Sequence, residues 1–116
     1  MIHITYRRKE DQKLCEDTRH AVRKIGPIPA RELAKLINAI YSSSDLTDID
    51  HMPQYRLHQL KGNKKDLYSL SIKEGYRIEF YPQDEQKNTL ISGTNETEMF
   101  QKTKNIHIVA ITKHYE

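Results

Sequence analysis

The stretch RLHQLKGNKKDLYSLSIKEGYRIEFYP, Arg56 to Pro82, predicts the architecture of the chain. Apolar and polar residues alternate twice within it, which is the period-two pattern of strands with one buried face. The two apolar sets are Tyr68, Leu70 and Ile72, then Tyr76, Ile78 and Phe80. The turn residues Glu74 and Gly75 stand between them, so the stretch predicts an antiparallel hairpin. Ser69, Ser71, Arg77 and Tyr81 are then expected to line its other, open face.

The rest of the chain predicts further strands and two helices. Alternation over Ile2–Tyr6 indicates a short strand, and IHIVAITK from Ile106 is apolar on both faces, as in a central strand. Arg56–Leu60 is a candidate strand. Helical spacing runs from about Glu10 to Ile25, where Gly26 and Pro27 end it, and a second helix follows Pro29. Their apolar stripes are Leu14, Thr18, Ala21, Val22 and Ile25, then Leu33, Leu36, Ile37, Ile40 and Tyr41.

These elements predict an α+β fold, with an N-terminal strand and a two-helix hairpin on one face of an antiparallel sheet. Residues 1–116 are expected to form a single domain, because one core is adequate at this length. Asp45–Pro53 is a predicted connector in which Leu46 and Ile49 close a short turn over the core. Residues 83–105 are predicted to be a polar insertion with at most a short helix, capped by Asn95 and Glu98.

Composition excludes several classes of protein. No apolar run approaches the ~20 residues of a membrane helix, and the N-terminus lacks the apolar stretch of a signal peptide. A soluble, cytoplasmic protein is therefore expected. Cys15 stands alone, so it forms no internal disulfide and is expected to be an inert packing residue. No Cys/His cluster suggests a metal, and no cofactor is expected.

The positive charge is concentrated in the opening stretch. The chain has 19 Lys and Arg against 16 Asp and Glu, a formal net charge of +3. The window from Arg56 to Tyr81 holds six of the basic and three of the acidic residues, so the remainder balances at thirteen against thirteen. Such a patch attracts phosphates. A solvated polar rim around the sheet is the alternative.

The same residues resemble a known family. RLHQLKGNKKDLYSLSIKEGYRIEFYP followed by VAITKHY is similar to the RelE/ParE toxin superfamily, in particular to its HigB-like plasmid maintenance killer branch. The branch pattern is a His, two residues and Lys-Gly, then a Tyr-Ser strand, an aromatic-Arg-Ile strand and a closing Asp-Tyr-His. KLCEDTRHAVRKIG and the helix after it are similar to the helical hairpin of the killer proteins. The chain departs from the pattern at its C-terminus, where Lys113, His114 and Tyr115 stand in place of Asp-Tyr-His. It also has Ser71 where some relatives have a basic residue in the middle strand.

The resemblance implies a toxin of a type II toxin–antitoxin pair that cuts mRNA in the ribosomal decoding site without a metal. His58, Lys61 and Arg77 match motif positions, and His114 and Tyr115 are the C-terminal candidates. The two histidines could act as general acid and base, and the Arg77 guanidinium could bind two phosphate oxygens. Tyr115 could orient the phosphate through its hydroxyl or stack on a nucleobase of the RNA. The expected RNA contacts are Arg56, Lys64, Lys65, Ser71, Lys73 and Lys113. A cognate antitoxin is the expected protein partner.

Other interpretations stay open at this point. In one, Arg77 only forms a surface ion pair with Glu79 or Glu74. In another, Lys64 and Lys65 only form a solubilising turn. Tyr68 and Tyr76 fit the core better than base stacking. For the whole protein the alternatives are a non-catalytic inhibitor of a protein such as DNA gyrase, as on the ParE side of the superfamily, and a degenerate toxin fold that only binds.

Overall fold

The computed structural model describes residues 1–64, 66–91 and 95–113 and contains a five-stranded sheet with helices packed on one face. The strands are β1 (His3–Tyr6), β2 (His58–Gln59), β3 (Tyr68–Ser71), β4 (Tyr76–Gln83) and β5 (Asn105–Lys113). Their order in the sheet is β1-β5-β4-β3-β2. Strands β2 to β5 are antiparallel neighbours, and β1 joins β5 in parallel. The α+β architecture predicted from the sequence is confirmed, with one parallel pair at the β1 edge.

Strand β5 occupies the central position predicted for it. It pairs with β1 on one side and with β4 on the other. Ile106 and Ile108 are fully buried, and Val109 and Ile111 are nearly so. A bulge between Glu79 and Phe80 shifts the β4–β5 register. A strand hydrogen-bonded on both edges and covered along most of its length favours apolar residues on both faces.

The predicted first helix is two helices, α1 (Lys9–Glu16) and α2 (Thr18–Ile25). Asp17 separates them with an extended backbone (φ −126°, ψ 99°), and its side chain accepts a hydrogen bond from the backbone N–H of His20. Aspartate is a favoured N-cap residue, so α2 begins anew here. The prediction of one continuous helix from Glu10 to Ile25 was wrong because apolar periodicity alone does not register a cap.

The second predicted helix is α3 (Pro27–Ser42), which packs against α2. Gly26 alone links the two, and its φ of +91° suits glycine. Val22 and Tyr41, expected in the apolar stripes, are more than a third exposed. The short turn over the core is α4 (Leu46–Asp50). Thr18, also expected in a stripe, is exposed. The stripe residues buried as predicted are Leu14, Ala21, Leu33, Leu36, Ile37 and Ile40, and the connector residues Leu46 and Ile49 are buried as well.

The hairpin of β3 and β4 is present as predicted. Tyr68 faces Phe80 and Leu70 faces Ile78, and all four are buried. The turn is a short 3₁₀ segment, Lys73–Gly75. The candidate strand Arg56–Leu60 shrinks to β2, because Arg56 has a left-handed backbone (φ 48°) that ends the preceding 3₁₀ turn.

The segment predicted as a polar insertion contributes to the core. Its helix, α5 (Glu96–Lys102), begins at Asn95, whose side chain accepts a hydrogen bond from the N–H of Glu98. Phe100 is buried and lies edge-to-face on Tyr68, with 5.7 Å between ring centroids. The Tyr68 hydroxyl donates to Glu96 at 2.9 Å. The predicted capping residue is confirmed, and the helix also packs against the core through Phe100.

Two smaller expectations concern Cys15 and membrane spans. Burial raises the pKa of the Cys15 thiol to about 12, which keeps it protonated and unreactive near neutral pH. Among the residues that the structure describes, no helix has the length and apolar character required to cross a bilayer.

Candidate RNA-binding cleft

The strand register gathers polar side chains on the open face of the sheet, which is the face turned away from the helices. Side chains alternate along a strand, so Ser69 and Ser71 point away from the core that Tyr68 and Leu70 enter. His58 stands opposite Ser69, which in turn stands opposite Glu79. The three therefore form a row across β2, β3 and β4.

A cleft of about 710 Å³ is lined by residues of this face, by the β3–β4 turn and by Glu32 of α3. Five residues expected at an RNA site line it: Arg56, His58, Ser71, Lys73 and Arg77. The charged residues of the whole lining are three basic ones, Arg56, Lys73 and Arg77, and two acidic ones, Glu32 and Glu74, with the imidazole of His58 among them. The volume of the cleft falls within the range of sites for small molecules. The structure thus brings the N-terminal members of the predicted set together.

His58 is exposed at the cleft wall, and one hydrogen bond orients its ring. Its Nδ1 lies 2.6 Å from the carbonyl oxygen of Arg56. A carbonyl only accepts, so Nδ1 is the donor. In the neutral ring Nε2 then carries the lone pair and is available to accept a proton. The left-handed backbone of Arg56 brings its carbonyl to this position.

Arg77 pairs with a carboxylate that the sequence analysis did not place in the site. Its Nε donates to Oε2 of Glu79 at 2.9 Å, and its Nη2 lies 2.6 Å from the same oxygen. Lys64 Nζ approaches Oε1 of Glu79 at 3.3 Å. Glu79 is only 4% exposed. The alternative in which Arg77 pairs with Glu79 is therefore present, as a contact in which the carboxylate is buried.

The remaining predicted residues lie apart from this group or outside the described chain. Lys61 is exposed two residues after the end of β2 and does not line the cleft. Lys113 ends β5 opposite Tyr76, a residue of the cleft wall, with Nζ 5.6 Å from the centre of that ring. Lys65, His114 and Tyr115 lie outside the residues that the structure describes, so their placement stays a prediction.

The cleft lining also includes residues that sequence reasoning missed. Glu32 of α3 and Tyr55 lie there. Burial, and secondarily the charge of Glu32, raises the pKa of Tyr55. Ser69 also lines the cleft, and its buried hydroxyl makes no hydrogen bond within the described residues. Only the tertiary fold brings α3 to the sheet edge, so no local sequence signal could have indicated Glu32.

A second polar group lies on β1 and β5, away from the cleft lining. Asn105 donates to the Thr5 hydroxyl at 3.0 Å, and that oxygen is 2.8 Å from Nδ1 of His107. Burial, and then the positive charge of Arg7, lowers the pKa of His107. The tautomer of His107 decides whether Nδ1 or the Thr5 hydroxyl donates the hydrogen bond between them. His107 was missed because the strand was interpreted as apolar on both faces.

Comparisons with known proteins agree with this fold. Residues 5–92 match a family described as RelE-like toxin of type II toxin-antitoxin system HigB. The match covers most of the chain, including helices α1 to α4, the hairpin and the cleft residues of β2 to β4, and it ends before α5 and β5. No curated protein matches the chain.

Proposed function

The chain belongs to the HigB-like family of RelE-like toxins of type II toxin–antitoxin systems, and from this premise we propose that it is a ribosome-dependent mRNA endoribonuclease that blocks translation. The observation that carries the proposal is the cleft in which His58, Arg56 and Arg77 meet. It combines a proton-accepting nitrogen with guanidinium groups, which is the chemistry needed to cut a phosphodiester without a metal.

In the proposed reaction the ribose 2′-hydroxyl attacks the adjacent 3′-phosphate. A new bond forms between the 2′-oxygen and phosphorus, and the bond from phosphorus to the 5′-oxygen of the next nucleotide breaks. A base takes the proton of the 2′-hydroxyl, and an acid gives a proton to the departing 5′-oxygen. The products are a 2′,3′-cyclic phosphate and a 5′-hydroxyl, so protons balance and no redox partner is required.

His58 is the proposed acid–base group in the described part of the cleft. Its Nε2 is the free nitrogen of the neutral tautomer, and an imidazole exchanges protons efficiently near neutral pH. Arg77 is the proposed phosphate clamp, because a guanidinium fork matches phosphate oxygens. Arg56 and Lys73 are proposed to contact neighbouring phosphates of the RNA backbone. Lys61, His114 and Tyr115 complete the proposed catalytic set, and Lys64, Lys65, Ser71 and Lys113 complete the RNA contacts.

Membership of the family implies a cognate antitoxin. We propose that an extended or helical segment of the antitoxin covers the basic face of the sheet or packs along the helices, which would keep RNA out until the antitoxin is removed. The mRNA held in the ribosomal decoding site is the proposed substrate. Copurification of the chain with the product of an adjacent gene would test the antitoxin part, and failure to copurify would count against it.

The function is tested by inducing the protein in growing bacteria and mapping new RNA 5′ ends. Cultures expressing His58→Ala supply the site test. His51→Ala is a matched control, since His51 is exposed at the end of α4 and is not part of the cleft lining. The proposal expects cuts inside translated codons with the unchanged protein and His51→Ala, and none with His58→Ala.

Other outcomes distinguish the alternatives. Growth arrest with intact transcripts and DNA damage would favour an inhibitor of a protein such as DNA gyrase. Normal growth with intact transcripts would favour a toxin fold that only binds, for which the departure at Lys113 is the motivating feature. Cleavage that persists in His58→Ala would keep the activity but reject the site.

A further inference from the structure

Glu79 is a buried anion within the cationic group of the open face. Its side chain is 6% exposed and lies within 3.3 Å of one cation and 2.6 Å of another. A carboxylate repels the phosphate that these cations are proposed to bind, so its presence works against affinity. A residue that weakens phosphate binding in the site is expected to have another role there. The hydrogen-bond donors of Arg77 indicate what that role is.

Glu79 engages one edge of the Arg77 guanidinium. Nε and Nη2 both meet Oε2, whereas Nη1 makes no hydrogen bond to any residue within 1–64, 66–91 and 95–113. A planar guanidinium held along one edge keeps its other donors in a fixed direction. Arg77 itself lines the cleft. The unused Nη1 edge thus belongs to an arginine whose plane is set by a buried neighbour.

Lys64 is tied to the same carboxylate. It comes from the loop after β2, and its ammonium meets Oε1 at 3.3 Å while Arg77 meets Oε2. One carboxylate therefore connects a strand arginine to a loop lysine. Without this connection, each flexible side chain would have to be ordered by the phosphate itself, at a cost in side-chain entropy.

We infer that Glu79 is a positioning residue for RNA cleavage: it orients Arg77, and with it Lys64, toward the phosphate that is cut. This inference rests on the proposed function. Glu79 acts through Arg77 and does not touch the RNA. The carboxylate weakens RNA binding through its charge and accelerates cleavage through the geometry it imposes, so the two effects have opposite signs.

The opposite signs define a test with two variants. Glu79→Gln removes the charge, so equilibrium binding of a short RNA is expected to tighten and to become more dependent on salt. The salt slope for a single strand should steepen by roughly 0.7 for each additional phosphate that the protein neutralises. Cleavage by the same variant should slow by about 10-fold or more, because misplacing a catalytic group has effects of that order. Glu79→Asp keeps the charge but shortens the reach, so it should slow cleavage without tightening binding.

Glu74→Gln is the matched control. Glu74 lies in the β3–β4 turn at the edge of the same cleft and makes no ion pair within the described residues. No contact with the RNA or with Arg77 is proposed for it, so its charge affects the bound phosphates only at a distance. The substitution makes the same chemical change as Glu79→Gln without affecting the Arg77 contact. It should tighten RNA binding without slowing cleavage.

The experiment measures anisotropy of a labelled, uncleavable 2′-O-methyl RNA at several salt concentrations. In parallel, single-turnover cleavage of an mRNA is measured on programmed ribosomes, with the melting temperature of each variant as a check on folding. Tighter binding with slower cleavage in Glu79→Gln supports the inference. Cleavage by Glu79→Gln at or above the rate of the unchanged protein overturns the inference. Glu79 would then only block phosphate binding by Arg77. If both Glu79 variants lose binding, cleavage and melting temperature in parallel, the inference is also overturned, and Glu79 only stabilises the fold.

The proposed function can fail separately in this experiment. If the unchanged protein leaves ribosome-bound mRNA intact while still binding RNA, the nuclease proposal is rejected, and the positioning role is rejected with it. If the unchanged protein cuts and Glu79→Gln cuts equally fast, the nuclease proposal stands and only the positioning role is rejected.

Discussion

Replacing Arg77 with alanine is expected to destabilise the fold as well as to remove the proposed phosphate contact. Glu79 is 4% exposed, and its closest partner in the structure is the Arg77 guanidinium at 2.6 Å. Arg77→Ala would leave this carboxylate buried with only Lys64 beside it, and Lys64 is half exposed. A buried charge that loses its partner is one of the few causes of large destabilisation by a single substitution.

The magnitude follows from the geometry of the pair. Breaking a buried ion pair by removing one partner costs about 3–5 kcal/mol. Lys64 remains at 3.3 Å and water enters the space that the arginine leaves, so the lower end, about 3 kcal/mol, is expected. With an unfolding entropy of about 2.1 cal/mol/K per residue over 116 residues, this lowers Tm by about 12 °C.

Thermal and urea unfolding followed by circular dichroism measure this loss. The matched control is the double variant Arg77→Gln/Glu79→Gln, which removes both charges and keeps side chains of similar size. It should lie within about 1 kcal/mol of the unchanged protein, because two neutral partners carry no buried charge. An Arg77→Ala protein that melts within about 2 °C of the unchanged one would refute the reasoning.

The stability loss also affects how activity experiments are interpreted. Loss of toxicity in Arg77→Ala is expected whether the arginine binds phosphate or only neutralises Glu79. The double variant separates the two roles, because it is expected to fold yet lacks the guanidinium. His58→Ala avoids the problem, since His58 is exposed and its ring donates to the Arg56 carbonyl rather than to a buried charge.

Three further expectations concern other parts of the chain. Phe100→Ala should destabilise the protein by about 3–5 kcal/mol in urea unfolding, because the ring is buried against Tyr68; a loss under about 1 kcal/mol would mean that α5 is not part of the core. The pKa of His107 is lowered, so the unfolded chain takes up a proton at higher pH than the folded protein, and the free energy of unfolding should fall as pH drops below about 6.5. His107→Gln should flatten that part of the profile, and an unchanged slope would contradict the assignment. Lys64→Ala should reduce the salt dependence of RNA binding by about 0.7 in slope, whereas an unchanged slope would remove Lys64 from the RNA contacts.

The sheet and its helical layer could be predicted from the sequence because each relies on a local signal. Alternation in β3 and β4 and the double-sided apolar run of β5 indicate both strand positions and burial. The break at Asp17 was missed because a cap depends on one side-chain hydrogen bond, which periodicity does not register. The role of α5 was missed because two buried residues in a polar segment carry little periodic signal, although tertiary packing on Tyr68 makes them part of the core.

The cleft was predicted in part for a similar reason. Arg77 and Ser71 share a face by strand alternation, and the register carries His58 to the same side. The spacing of Arg77 and Glu79 also places both on one face, yet the sequence does not say whether the pair is buried. Burial matters because a buried carboxylate depends strongly on its cationic partner. Glu32 and Tyr55 reach the cleft only through the packing of α3 and the turn after α4.

The most direct test of the central claim uses purified ribosomes programmed with a defined mRNA. The protein is added to the ribosome-bound mRNA and to the same mRNA alone, and the ends of the products are analysed. The account predicts cuts only on the ribosome, with 2′,3′-cyclic phosphate and 5′-hydroxyl ends, present with His51→Ala and absent with a folded His58→Ala protein. Intact ribosome-bound mRNA, or cutting that His58→Ala leaves unchanged, would contradict it.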